Sequence, residues 1–214
     1  MIIKDNGQKT GEPMKKIICF IISVFITIIG FADEYLISTI ECVEPDNFYD
    51  SELTLKYDDE NDVYYIFRST FSRSYWFTFT PEKLERLRNN LKKAKEWSKL
   101  ANSNKSSINK ELPNSLITVE GTMKSGNDWY TTRWDIPLNF FFISSFSDGV
   151  GAVTLLMRGG AQESKQNQFI DVEFESVVFI NSEIDDFFKA ISKETVEKEK
   201  ENRKKQKKNS DMFN

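Results

Sequence analysis

The stretch Ser74–Ala101, SYWFTFTPEKLERLRNNLKKAKEWSKLA, decides how the rest of the chain is read. Tyr75, Phe77 and Phe79 alternate with Trp76, Thr78 and Thr80, the period-2 pattern of a strand with one buried face. Pro81 suits a first helical position, where its missing N–H costs nothing, and Thr80 before it can cap the free amides. Leu84, Leu87, Leu91, Ala94, Trp97 and Ala101 then recur at helical spacing. Glu82, Lys83, Glu85, Arg86, Arg88, Lys92, Lys93 and Lys95 fall on the face left to water. A short aromatic strand therefore turns directly into a long amphipathic helix, and one sheet packs on one helix.

Upstream, Tyr35–Val43 reads as a strand ended by Glu44-Pro45-Asp46-Asn47, whose residues favour a turn. Ser51–Tyr57 and Val63–Thr70 read as a hairpin across the acid and amide tip Asp58-Asp59-Glu60-Asn61-Asp62. Downstream, residues 102–114 have the polar composition of a linker or long loop. Strands follow over Leu116–Met123, Trp129–Ile136, Leu138–Phe146, Val150–Arg158 and Phe169–Ile180. In the last, the alternation changes phase, which predicts a bulge or bend near Glu175-Ser176. Asn181-Ser182 then caps a second helix with the stripe Ile184, Phe187, Phe188 and Ile191, and Ser182 to Asp185 has the Ser-x-x-Asp cap spacing. Residues 193–214 form a charged tail, expected to extend the helix by a few turns and then fray.

The fold class is α+β, antiparallel strands followed by one helix in each half. Residues 33–101 make the first strands-plus-helix unit and residues 115–192 the second. A tandem β-β-β-β-α repeat and a single continuous sheet with two helices both explain this order. The order resembles the repeated strands-then-helix unit of whirly and PUR type nucleic-acid binders. That resemblance is one of topology; no motif of those families is matched, and it implies no function.

Met14-Lys15-Lys16 opens a positive segment, Ile17–Ile29 is almost unbroken apolar sequence, and Gly30-Phe31-Ala32 supplies small residues before a cleavage site. Residues 14–32 therefore read as a signal peptide, with residues 1–13 a spurious extension ahead of the true start at Met14. The apolar run of about 13 residues is short against the ~20 that span a bilayer as a helix. Membrane attachment enters only if this segment stays uncleaved. The expected location is periplasmic or secreted, and the heavy use of Phe, Ile, Lys and Asn resembles an AT-rich bacterial genome. Cys19 lies in the signal, so Cys42 is alone after cleavage and no disulfide framework forms. Its strand face, with Leu36, Ser38 and Ile40, reads as that of a buried thiol.

Residues 1–32 carry four lysines against Asp5 and Glu12, so cleavage takes the formal net charge from −4 to near −6. Export and acidity together argue against nucleic acid as a partner. The chain contains no histidine, which removes Ser–His and Cys–His nucleophiles, imidazole bases and His-bound zinc. Gly149-Val150-Gly151 and Gly159-Gly160 lack the spacing of a phosphate loop.

Carboxylates and aromatics remain. Asp171, Glu173 and Glu175 share one strand face at steps of ~7 Å, a spacing open to a glycosidase pair or a cation; the plainer reading is a solvated strand face. Asp58, Asp59, Glu60 and Asp62 cluster hard oxygen ligands on a hairpin tip and are the calcium candidates, although the tip lacks the glycine and terminal glutamate of the twelve-residue calcium loop. Trp76, Trp129, Tyr130 and Trp134 are the ligand-binding candidates, as strand aromatics able to grip a sugar, peptidoglycan or a protein. Trp129 and Tyr130 point to opposite faces, so only one belongs to the core of a one-sided sheet. The expected function is non-enzymatic binding of a protein or envelope component through the sheet. The rivals are a carboxylate-only glycan hydrolase and a module tethered by an uncleaved N-terminal helix.

Overall fold

A computed structural model describes residues 34–45, 50–69, 73–147 and 150–212. The signal segment and the extension before it lie outside the described residues.

The strands are β1 (Glu34–Val43), β2 (Asp50–Asp58), β3 (Val63–Ser69) and β4 (Arg73–Phe79), followed by helix α1 (Pro81–Asn104). Then come β5 (Ile108–Glu111), β6 (Ile117–Ser125), β7 (Asp128–Thr131), β8 (Ile136–Ser147) and β9 (Val150–Arg158). A small hairpin, β10 (Ala161–Glu163) and β11 (Asp171–Glu173), precedes β12 (Val177–Ile180) and helices α2 (Ser182–Ala190) and α3 (Lys193–Asp211).

Eight of these strands close on themselves. Each of β1, β2, β3, β4, β6, β8, β9 and β12 pairs with the next in chain order, and β12 returns to β1. The strands are mostly antiparallel, so the sheet is a barrel with one inner face. Closure depends on two strands that divide one edge between two partners. β8 offers Ile136–Leu138 to β6 and Phe141–Ser144 to β5. β6 offers Ile117–Val119 to β8 and Thr122–Ser125 to β7. Gly121 sits where β6 changes partner, and a Cβ there would lie 3.0 Å from Ile136 Cδ1. Its amide donates to Thr132 Oγ1 at 3.1 Å and its carbonyl accepts from the Thr132 amide at 2.9 Å.

The inner face is filled by Leu53, Leu55, Ile66, Phe77, Phe79, Val119, Leu138, Phe140, Phe142, Leu155 and Phe179, all buried. α1 lies against β3, β4, β6, β8 and β9, and α2 against β12 and α1. The helix stripe Leu84, Leu87, Leu91, Ala94 and Ala101 joins the same core. Thr80 caps α1, its hydroxyl accepting from the Lys83 amide at 3.3 Å. At the opposite end Val172 and Phe174 are buried, and the Phe174 ring lies 4.4 Å from that of Phe77. Gly159 permits this, because a Cβ there would meet the Phe174 carbonyl oxygen at 2.3 Å.

Several sequence expectations change. Residues of both halves share one barrel core, and the stretch 102–114, expected as linker or loop, carries β5, paired along β8. Trp129–Ile136 is not one strand: β7 ends at Thr131, Thr132 bridges Ser164, and β8 begins at Ile136. The chain does break near Glu175-Ser176, between β11 and β12. The Ser-x-x-Asp cap is not formed; Asn181, at φ +49°, has no side-chain capping bond in α2, and its Oδ1 accepts from the Val153 amide instead. The tail is helical through Asp211, for reasons that lie in tertiary contacts described below. Arg86 and Arg88, expected to face water, donate to the Leu116 and Ile191 carbonyls, while Lys83 and Lys95 pair with Asp135 and Asp185 at 3.0 Å each.

Candidate functional site

A closed barrel keeps its core inside, so a large aromatic on the alternate phase of a strand must lie on the outer wall. Three such residues meet there. Phe67 on β3 is the register partner of Trp76 on β4, and Trp129 on β7 stands two strands further along, beyond β6 and opposite its Lys124. Ring centroids are 5.0 Å apart between Phe67 and Trp76, and 4.9 Å between Trp76 and Trp129, all at tilted angles. Lys56 places its ammonium 4.8 Å from the Phe67 ring, and Lys124 places its own 5.4 Å from the Trp129 ring. The result is an aromatic row across the wall with a cation at each end. Its neighbours cover Trp76 to 9% exposure, while Trp129 remains 40% exposed and forms the accessible end. Such a row offers π-faces for stacking and ammonium groups for an anionic or hydroxyl-bearing partner.

Of the four binding candidates, Trp76 and Trp129 are therefore brought together. Tyr130, on the opposite phase of β7, is partly buried against the core. Trp134 lies between β7 and β8, is 69% exposed and belongs to no such row. Phe67, Lys56 and Lys124 were not singled out from sequence. Phe67 could have been found, since it shares the outward phase of Tyr65 on β3; the lysines needed the register.

The hairpin tip is organised as a turn. The Asp58 carboxylate accepts from the Glu60 amide (3.0 Å), the Asn61 amide (3.2 Å) and Asn61 Nδ2 (2.8 Å), with the Tyr65 hydroxyl further off at 3.4 Å. Burial pushes its pKa up, but these hydrogen bonds outweigh burial and hold it below the usual Asp value. Asp59 pairs with Lys207 at 2.6 Å, and Asp62 accepts from the Tyr57 hydroxyl at 2.7 Å. Glu60 is exposed on the tip. Among the described residues, no group of three or more Cys, Asp or Glu side chains is placed to hold a metal ion.

Asp171, Glu173 and Glu175 all point outward. Glu173 and Glu175 line a cleft of about 480 Å³ with Glu44, Arg68 and Arg158. Arg68 is 4% exposed and bridges Glu44 at 2.8 Å and Glu175 at 3.1 Å. Cys42 is buried, and burial pushes its thiol up to about 11, against the lowering effect of Arg68.

No protein-family model matches this chain, and neither a curated protein nor a solved structure matches it. No helix among the described residues is long and apolar enough to cross a membrane, which says nothing of strands.

Proposed function

We propose that this is an exported, non-enzymatic binding protein of the bacterial envelope, which holds a protein or envelope component against its outer barrel wall. The observation that carries the reading is the row Phe67–Trp76–Trp129 with Lys56 and Lys124 at its ends. Core burial does not explain three large rings outside the barrel, and tryptophan is among the residues that dominate binding hot spots. The export half of the reading rests on the signal-like segment 14–32. In the finer form of the fold, the four strands before α1 and the four barrel strands before α2 are two copies of one strands-and-helix unit.

The test is cosedimentation of the purified chain with isolated cell-wall and membrane fractions. Wild type should pellet with one of them, and Trp129→Ala should weaken retention at least tenfold with an unchanged melting temperature. Equal retention of the variant, or none of the wild type with either fraction, would remove the wall as the binding surface. Intact mass after cell fractionation tests export separately: a species beginning at Asp33 in the envelope fraction supports it, and a cytosolic species beginning at Met1 sinks it.

A further inference from the structure

Away from the aromatic row, the helical end of the barrel holds a second group of rings. Tyr57 of β2 and Tyr64 of β3 are register partners with centroids 4.9 Å apart, and Tyr35 of β1 meets Tyr57 edge-on at 5.4 Å. Asp62 stands beside them, accepting from the Tyr57 hydroxyl at 2.7 Å. Two electron-rich rings, Tyr57 and Tyr64, and a carboxylate around one space, with Tyr35 packed edge-on against Tyr57, form the kind of enclosure that recognises an organic ammonium.

The enclosure is filled from within the chain. Lys200 of α3 sets its Nζ 3.9 Å from the Tyr57 centroid, 5.2 Å from that of Tyr64 and 3.9 Å from Asp62 Oδ1. Arg203, one turn later, lies 5.9 Å from the Tyr35 centroid. Most of what else fastens this helix is polar. Its buried apolar contact among the described residues is Val196, and Arg203 Nε is buried without a hydrogen-bond partner among them. Its other polar contacts include the Lys207–Asp59 pair at 2.6 Å and the Lys193–Glu85 pair at 3.4 Å, both screened at exposed positions, and the bond from the Thr195 hydroxyl to the Lys189 carbonyl at 2.8 Å. A cleft of about 370 Å³, lined by Asp62, Tyr64, Glu197 and Lys200 among others, runs alongside the helix and leads to the rings.

We propose that Tyr57, Tyr64 and Asp62 form a binding site for an alkylammonium group, which Lys200 occupies in the resting chain and a ligand's own ammonium replaces when α3 lifts. The ammonium can belong to a quaternary choline-type headgroup or to a lysine side chain of another polypeptide; both present a cation on an aliphatic stem. The proposal does not depend on the outer-wall row.

The experiment uses the full chain and isothermal titration with choline and, separately, with Nα-acetyl-lysine amide. Lys200→Ala should bind one of the two at least tenfold more tightly than wild type, and adding Tyr57→Leu should abolish the gain. Preference for choline names the quaternary headgroup, and preference for the lysine probe names a polypeptide. No gain over wild type for either probe, or a gain indifferent to Tyr57→Leu, overturns the site. Should Lys200→Ala lose its fold by circular dichroism, Lys200→Met keeps the aliphatic stem while removing the charge, and the same outcomes apply to it.

Discussion

Arg68 brings a full charge to the inward phase of β3, where its neighbours two and four residues back are Ile66 and Tyr64. Glu44 and Glu175 balance it, yet both are partly exposed and can rehydrate if it is removed. Arg68→Ala should therefore cost about 1–3 kcal/mol, below the full penalty of orphaning two buried charges, as read from urea unfolding. Gly159→Ala meets backbone rather than a flexible side chain, so a loss of about 1–3 kcal/mol is expected from overpacking. For Asp58 the sign follows from its lowered pKa. The folded state releases this proton more readily than the unfolded state, so the stabilisation is present above the ordinary Asp value of 3.8 and is lost as pH falls through the lower folded value. Asp58→Asn should flatten that acid limb in a series of melts from pH 5 to pH 2. At this scale the sequence was partly legible: alternation put Trp129 and Tyr130 on opposite faces, and the barrel decides that Trp129 is the outer one. It could not show that Asp58 spends its oxygens on its own turn, because that depends on the φ of +50° at Asp62 and the local path of the chain.

Among the elements, α1 was readable almost to its ends, since Pro81, the Thr80 cap and the leucine stripe all agree. Thr80→Ala should cost about 1 kcal/mol, the usual worth of an N-cap, by chemical denaturation. The tail α3 was not readable as a fixed element. Its 19 residues have almost no apolar face, and what holds it is a set of rings and acids more than 130 residues earlier in the chain. Burial lowers the Lys200 pKa, but its contacts with the Tyr64 and Tyr57 hydroxyls outweigh burial and raise it above the ordinary lysine value of 10.5. The Tyr57 hydroxyl is likewise raised from 10.0, first by burial and then by its bond to Asp62. Both folded values exceed the unfolded ones, so the docking energy is whole below about pH 10 and is lost as pH climbs through the raised values. Asp62, Glu197 and Tyr64 also lie beside the Lys200 ammonium, while Asp59 faces Lys207 and the Tyr35 ring faces Arg203. Ellipticity at 222 nm should therefore fall in an alkaline step worth roughly one long helix, with the near-ultraviolet signal of the barrel core retained.

For the whole molecule, the strands were legible and their closure was not. Most barrel strands could be placed from alternation and turn residues, and the break after Glu175 from a change of phase. The ring, however, closes through three residue pairs between β6 and β8, and no local pattern announces a pairing so short. The same holds for β5: Ile108–Glu111 looks like loop because one apolar residue in four gives no period, and it becomes a strand by lying along an edge of β8 that β6 leaves free. A closed ring also fixes which aromatics are outside, so the binding surface is a property of the barrel as a whole. The most direct measurement is a hydroxyl-radical footprint of the full chain, free and bound to the envelope fraction with which it pellets. Protection of Trp129 and Phe67 on binding, with Trp134 unchanged, is the result this account predicts. Unchanged labelling of Trp129 in the bound state would contradict it.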